Sequence, residues 1–466
     1  MMKNSTLFLG KDIINEIKDA VGSDHVISDP DLLKQYDRDA SFLRAVPQVM
    51  VMAYSAEQIS RLLKLANDRK FPVVPRAGGT GLTGGCLPTS GGVVLNLSSM
   101  NQIRTIDTRN LIADVQPGVI TLDLKNAARK KGLFYPPDPA GMDKSTIGGN
   151  AATSAGGPSC LKYGTTKDYI LGLEVVLPQG NIITTGGLTR KGVVGYDLTH
   201  LLVGSEGTLG IITGLILKLI PYPPSVRTLA AAFGELEKAM SAVTEIQVRG
   251  HLPAALEFMD DRCLGLVNDL MPISISGKER AFVIIELDGA REQIDASMSA
   301  IIPILTEMGA LEILEALNDA QRETIWTVRR QISTRIRESS VINVAEDIAV
   351  PIGKIADLAN AMPDIENRYG VALYAFGHAG DGNIHINITA SHEGHGGIED
   401  AIRSVFKTAL SLGGTISGEH GIGFAKKSFI DLELSPVSIA LQKDIKKLFD
   451  PNMILNPDKI FCYGDS

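Results

Sequence analysis

Apolar and polar positions alternate in two different rhythms along the chain. Between Pro47 and about Pro224, short β-rich runs such as Val49-Met50-Val51-Met52 and Gly92-Val93-Val94-Leu95-Asn96-Leu97 are separated by glycine turns and a few amphipathic helices. Ser55-Ala56-Glu57-Gln58 reads as a capping box ahead of Ile59, Leu62, Leu63 and Ala66, and a second helix opens at Thr121 and can end at Gly132. Residues 171–185 predict a hairpin turning at Pro178-Gln179-Gly180-Asn181, and 209–220 a nearly continuous apolar strand halted by Pro221, Pro223 and Pro224. Beyond Val226, longer helical stretches at 236–248 and 294–308 alternate with strands such as 281–287, and a last helix is expected near 435–449. The division this predicts is a mixed α+β domain over 1–224, a second domain over 225–430 built on an α/β sheet, and a closing segment, 431–466, that returns to the first.

Composition narrows the function. Lys+Arg 45 against Asp+Glu 53 gives −8, which argues against an electrostatic hold on nucleic acid or anionic lipid. Cys86, Cys160, Cys263 and Cys462 form no CxxC pair, so neither a zinc ribbon nor a disulfide scaffold is expected. The start, Met1-Met2-Lys3-Asn4-Ser5, leads into too short an apolar stretch for a signal peptide, and no 18-residue apolar run follows anywhere; the expectation is a soluble, cytoplasmic protein without a transmembrane segment. Glycine is in excess, 47 of 466 residues, and clustered, as happens where backbone must approach a ligand closely.

The densest cluster, Pro75-Arg76-Ala77-Gly78-Gly79-Thr80-Gly81-Leu82-Thr83-Gly84-Gly85, contains a literal GxGxxG at Gly79, Gly81 and Gly84. A Rossmann loop must open a helix, and the continuation Cys86-Leu87-Pro88-Thr89-Ser90-Gly91-Gly92 has no helical pattern. What survives is a run of peptide N–H groups with few side chains, a nest able to cradle a diphosphate, with the Thr80 and Thr83 hydroxyls as further donors. The plainer alternative is a glycine-rich turn. Two kindred segments follow: Pro136-Pro137-Asp138-Pro139 with Ser145-Thr146-Ile147-Gly148-Gly149-Asn150-Ala151-Ala152-Thr153-Ser154-Ala155-Gly156-Gly157, and Gly204-Ser205-Glu206-Gly207-Thr208-Leu209-Gly210-Ile211-Ile212.

These three segments, in this order, resemble the FAD domain of vanillyl-alcohol oxidase type flavoproteins, as found in D-lactate, glycolate and D-2-hydroxyglutarate dehydrogenases. The likeness runs from about Asp29 to Phe461. It implies an FAD-binding domain followed by an α/β substrate (cap) domain with an antiparallel sheet. It further implies that Arg76, Ala77, Gly78, Gly79, Thr80, Gly81, Leu82, Thr83, Gly84 and Gly85 hold the FAD pyrophosphate. Pro139, Thr146, Gly148, Gly149, Asn150, Thr153, Ala155, Gly156 and Gly157, with Tyr163 and Gly164, would line the flavin. Glu206, Gly210, Ile211 and Ile212 would support the adenine-ribose side, and Asn456 in the tail would be a further cofactor residue. Some members attach FAD through a histidine in the glycine loop; residues 76–92 contain none, so non-covalent, dissociable FAD is expected.

Of eight histidines, His378, His385, His392, His395 and His420 fall within a span of about 43 residues. In Phe376-Gly377-His378-Ala379-Gly380-Asp381-Gly382-Asn383-Ile384-His385-Ile386-Asn387-Ile388 the end is a period-two strand, with the isoleucines on one face and His385 and Asn387 on the other. The glycines after His378 permit a tight turn that could return its imidazole toward His385, and Gly418-Glu419-His420-Gly421 supplies another carboxylate and imidazole. Two histidines and a carboxylate with open positions make a catalytic divalent-metal site, and this donor set does not select among zinc, iron and manganese. His392 and His395, in a Ser-His-Glu-Gly-His-Gly loop, are read as non-functional. The HAGDGNIH and GEHGIG segments also match the family's second domain, which implies His378, His385 and Glu419 as metal ligands and His420 as the base. The substrate's hydroxyl and carboxylate would complete the coordination sphere, with Asn387 beside it.

Ile325-Trp326-Thr327-Val328-Arg329-Arg330-Gln331-Ile332-Ser333 resembles the family's substrate helix, in which Arg329 would grip a carboxylate; Ser333, at i+4, shares its face. The plainer reading of Arg329 is a surface salt bridge. Human-type 2-hydroxyglutarate dehydrogenases place a lysine where the ungapped match here is Ala345. Losing a charge-assisted bond worth roughly 1.5–3 kcal/mol would shift preference by about 10- to 150-fold toward a monocarboxylate such as D-lactate. Glu346 and Asp347 would reinforce this if they faced the pocket.

The expected activity is therefore FAD- and metal-dependent oxidation of a D-2-hydroxyacid, foremost D-lactate, with D-2-hydroxyglutarate or glycolate as alternatives. An oxidase using O2 and a non-catalytic flavin electron-transfer subunit are the competing classes; the failed helix after Gly84 disfavours a nicotinamide enzyme. Dispersed cysteines offer no iron–sulfur relay, so an electron acceptor is implied; the resemblance implies an electron-transfer flavoprotein, a separate iron–sulfur subunit or a cytochrome.

Overall fold

The computed structural model describes residues 9–275, 280–392 and 395–463; the start, Met1 to Ser5, and the Glu393-Gly394 pair of the histidine loop lie outside them. Two compact units emerge, one of residues 1–155, 165–222 and 420–466, the other of 156–164 and 223–419. The boundaries thus fall at 222/223 and 419/420, where the sequence suggested 224/225 and 430/431. Segment 156–164 goes with the second unit because Lys162 Nζ and Tyr163 Oη both bond the Asp288 carboxylate there.

In the first unit a four-stranded sheet runs in the order Val26–Ile27, Val49–Met52, Val93–Asn96, Val73–Arg76, its last three strands parallel. Helix Ala56–Arg69 crosses over between Val49–Met52 and Val73–Arg76, burying Ile59, Leu62, Leu63 and Ala66 completely in one core with Val49, Val51 and Val73. Ser55 Oγ accepts from Gln58 N, but Gln58 Oε1 takes the N–H of Tyr54, one residue before the position a reciprocal box requires. A five-stranded antiparallel sheet follows in the order Ile103–Asp107, Ile112–Val115, Ile211–Lys218, Ile170–Val176, Ile182–Gly186. Its last two strands are the hairpin expected from 171–185. The long apolar strand is shorter than its pattern: it stops at Lys218, and Ile220–Pro221 pairs with Leu133–Phe134 instead.

Helix Pro436–Phe449, capped by Ser435, brings the tail back to this unit. Val73 N donates to Ile454 O and Asn456 N to Val73 O, so the tail extends the sheet beside Val73–Arg76. The buried Lys446 Nζ fixes the geometry by donating to Thr208 O, Asp450 Oδ2 and Leu455 O.

The second unit is a seven-stranded antiparallel sheet. Its strands are β1 (Ser225–Phe233), β2 (Ala255–Met259), β3 (Ala281–Gly289), β4 (Glu312–Glu315), β5 (Ile342–Ala349), β6 (Ala372–His378) and β7 (Asn383–Ala390), arranged β4-β1-β3-β2-β6-β7-β5. Helix α1 (Asp319–Ser339) packs Ile325, Val328, Ile332 and Ile336 against Met259, Ile284 and Phe376 of one sheet face. Among the described residues no helix is long and apolar enough to cross a membrane.

Asn456 is the keystone of the first unit's closure: it is 1% exposed, has φ +43°, and its Nδ2 donates to both Gly85 O and Glu206 O. Asn456→Gly keeps the backbone conformation and loses both bonds, taking the side-chain donor away from the buried Glu206 carbonyl and the half-buried Gly85 carbonyl. Chemical denaturation should show about 2–4 kcal/mol lost, with flavin released at lower denaturant than in the wild type.

Candidate functional site

Glycine in the first unit's loop is dictated by crowding. A Cβ at Gly78 would lie 2.5 Å from Lys144 O, and one at Gly79, whose φ is +64°, would lie within the Arg76 guanidinium. Arg76 is buried, with its NH2 group donating to Arg38 O at 2.7 Å, so its charge sits fixed beneath the loop. Among the described residues, none of the backbone N–H groups from Gly78 to Thr83 is spent on a protein acceptor. A cationic floor under a run of uncommitted amides fits a diphosphate, and no helix follows the loop, as the sequence indicated.

Several other residues assigned to the cofactor have structural duties. Thr146 caps helix Ile147–Thr153 by accepting from Gly149 N, and Asn150 Nδ2 donates to Thr121 Oγ1. Thr153 Oγ1 bonds back to Gly149 O, Ala155 O accepts from Thr166, and Pro139 O accepts from Met142 N. Gly148 and Gly210 are close-packing positions, where a Cβ would meet Pro117 and Val175 at 2.4 and 2.5 Å. Ile211 and Ile212 begin a buried strand. Glu206, at φ +52°, receives the N–H groups of Ile422 and Gly423, both at 2.8 Å. Thr83 also holds this same segment: its carbonyl accepts from Phe424 N and Ala425 N, and its hydroxyl lies 3.5 Å from His420 O. Residues 420–425, His420 included, are thereby anchored on the glycine loop. Gly156, Gly157, Tyr163 and Gly164 belong to the second unit.

In the second unit, register assembles a polar patch on the α1 face of the sheet. Directly opposed residues share a face, and Glu257 opposes His378, Phe376 opposes His385, Asp347 opposes His385, and Ala345 opposes Asn387. Ile384, Ile386 and Ile388 are buried on the other face, as their alternation predicted. The Ala379–Gly382 turn returns the chain so that the His378 and His385 rings stand 5.1 Å apart. Gly382 is required in that turn, since φ is +82° and a Cβ would lie 2.0 Å from Val350 O.

Glu419 joins them: His378 Nε2 and His385 Nε2 are each 3.6 Å from its Oε1. Two donors about 2.1 Å from one tetrahedral ion are about 3.4 Å apart, so the spacing fits a divalent cation. Asp347, fully buried, orients Glu419 by accepting from its N–H at 2.6 Å and from Ser417 Oγ at 3.3 Å. Asp347 is thus committed to the Glu419 segment, and Glu346, one residue earlier, falls on the opposite face. Ala345 does lie on the face of His385 and Asn387.

The sequence reading missed Glu257. It has no solvent exposure; Oε2 accepts from Arg329 Nε at 2.6 Å, and Oε1 bonds His378 Nδ1. Burial alone would raise its pKa, but His378 and Arg329 outweigh burial and hold it at about 2. His378 moves the other way: burial lowers its pKa, yet Glu257 and Glu419 push it well above the ordinary value. Arg329 is therefore no surface salt bridge. Its side chain is 12% exposed, its guanidinium carbon lies 4.6 Å over Phe376, and among the described residues Nε is the one guanidinium nitrogen with a hydrogen-bonded partner. Ser333 follows one turn later, half-buried. The signal for Glu257 was present: a lone carboxylate inside the apolar run Ala254-Ala255-Leu256-Glu257-Phe258-Met259 must be paired if that run is a buried strand.

Comparison with known proteins agrees with both halves. A family model described as FAD binding domain matches residues 47–186, and one described as FAD linked oxidases, C-terminal domain, matches residues 222–460. The chain is 41% identical over 434 residues to the glycolate oxidase subunit GlcD of Bacillus subtilis, covering 92% of each. It is 38% identical over 441 residues to a D-lactate dehydrogenase of Anaerostipes hadrus, again covering 92% of each. A solved structure of p-cresol methylhydroxylase with substrate bound superposes with a TM-score of 0.81 at 18% identity, covering 98% of both chains, a likeness of fold.

A Cβ at Gly156 would stand 2.5 Å from Glu419 Oε2 and 3.2 Å from its Cβ. Gly156→Ala should displace that carboxylate and lower divalent-metal content per FAD about tenfold or more, read by elemental analysis after dialysis at fixed free metal.

Proposed function

Because the chain belongs to the FAD-linked oxidases of the vanillyl-alcohol oxidase type, we propose that it oxidises a small D-2-hydroxyacid, foremost D-lactate to pyruvate, and passes the electrons to a partner protein. The observation that carries this reading is the meeting of His378, His385 and Glu419 on one sheet face with Arg329, joined through Glu257. A chelating triad beside an arginine suits a ligand with a hydroxyl next to a carboxylate.

FAD, bound non-covalently, would supply the hydride acceptor, and His378, His385 and Glu419 would hold a divalent ion (zinc, iron or manganese), whose positive charge would favour ionisation of the substrate hydroxyl. Arg329 grips the substrate carboxylate, with Ser333 and Asn387 orienting it. His420, which follows Glu419 directly in the chain, takes the hydroxyl proton as C2 gives up its hydride. Electrons and protons would balance: as the alcohol becomes a ketone, His420 would hold the hydroxyl proton and the C2 hydride would be matched by the two-electron acceptor that FAD would supply.

Ala345 on the face of Asn387 supports a monocarboxylate, because it offers no cation to a second carboxyl group. The relatives named for D-lactate and glycolate act in the same direction, while D-2-hydroxyglutarate stands as the alternative if another cation reaches the distal carboxylate. The relative named as a subunit supports transfer to a partner, either an electron-transfer flavoprotein or an iron–sulfur subunit. Four cysteines dispersed along the chain, with none paired in a disulfide among the described residues, suit a reducing cytoplasm.

Anaerobic mixing of metal-supplied enzyme with D-lactate, L-lactate, glycolate and D-2-hydroxyglutarate tests this by bleaching of the flavin band. D-Lactate should reduce the flavin fastest, and no reduction by any of the four would sink the reading. His420→Ala should keep full FAD content while slowing reduction by about 100-fold or more at neutral pH; fast reduction in that variant would remove His420 from the role of base.

A further inference from the structure

A carboxylate at the centre of a sheet needs a reason to be there. Glu257 lies in β2 between Leu256 and Phe258, at 1% and 0% exposure, and is itself fully buried. An apolar residue would fill that place at lower desolvation cost. What an apolar residue cannot do is accept two hydrogen bonds in two directions, and the two donors around Glu257 are a metal ligand and a substrate clamp.

We propose that Glu257 is a positioning residue that sets His378 and Arg329 together, so that metal affinity and carboxylate recognition depend on one buried side chain. This rests on the reading of His378, His385 and Glu419 as a metal site. The sheet register places Glu257 directly opposite His378, which fixes the separation of the two side chains. Oε1 bonds His378 Nδ1, so that nitrogen carries the proton and Nε2, 3.6 Å from Glu419 Oε1, is left to bind metal. Oε2 takes Arg329 Nε at 2.6 Å, and Phe376 lies against the guanidinium face, its centroid 4.6 Å from the guanidinium carbon. Held at Nε and on one face, the guanidinium keeps its two terminal NH2 groups available for a carboxylate. Both partners are donors here, and a carboxylate is acceptor-only, so it satisfies both. Glutamine matches its shape but turns an NH2 donor toward one of them.

The experiment uses full-length, FAD-loaded Glu257→Gln. The protein is stripped with a chelator and titrated with Zn(II), then separately with Mn(II), without hydroxyacid; KM and kcat for D-lactate are then measured at saturating metal. Expected are a metal dissociation constant about 10- to 100-fold weaker, an unchanged FAD-to-protein ratio, and a KM that rises several-fold more than kcat falls. A folded variant with wild-type metal affinity and wild-type KM overturns the proposal while leaving the metal site intact. Wild-type protein that takes up neither metal overturns the metal reading and this inference with it.

If Glu257→Gln does not fold, the wild type decides alone. In protein labelled with 15N-histidine, the His378 signals, assigned by their loss in His378→Asn, should show Nδ1 protonated and Nε2 shifting on metal addition. The opposite tautomer overturns the proposal.

Discussion

A charge removed from water must be neutralised where it stands, and in the second unit that constraint falls on Glu257. With no exposure, it is affordable only with partners on both oxygens, and those partners are His378 and Arg329. Much of the surrounding architecture serves the same requirement. The antiparallel register brings His378 opposite, α1 delivers Arg329 from above, and Phe376 closes the guanidinium face. Asp347 repeats the device three strands along the sheet, on β5, holding the Glu419 backbone with a carboxylate that is also fully buried. The His378, His385 and Glu419 cluster is thus supported from behind by two anions, an arrangement that would raise its basicity toward a cation.

The first unit solves a different problem, keeping side chains away from a ligand's path while holding the loop rigid. Glycines at 78, 79 and 84 leave no room for Cβ atoms, and rigidity is imported from distant parts of the chain. Glu206 pins 422–423, Thr83 carries 424–425, and Asn456 ties Gly85 to Glu206. Side chains that resemblance assigns to the cofactor are in this structure the fasteners of its cradle.

Legibility in the sequence followed the range of the interaction. Period-two alternation put Ile384, Ile386 and Ile388 on one face and His385 and Asn387 on the other, because strand geometry is local. The helix after Ser55, the 171–185 hairpin and the strand at Ala281 were legible for the same reason. So was the absence of a helix after Gly84, which separated this loop from a Rossmann motif. Pairings across the fold were not legible: Glu257 lies 121 residues from His378 and 72 from Arg329, and nothing in the chain between them announces the register. The reach of Glu346 and Asp347 was unreadable until strand pairing fixed which of the two shares the face of His385.

The first unit is discontinuous, and its last contribution to the sheet, the stretch that pairs with Val73, comes after the whole of 223–419. On the ribosome, the glycine loop is made early and stays without its Asn456 and Glu206 fastenings until the final few dozen residues emerge. The second unit needs nothing beyond Glu419 and can finish first. Flavin capture is therefore a late event in biosynthesis, and a chain released short of Asn456 would leave a folded second unit attached to a half-built, colourless first one.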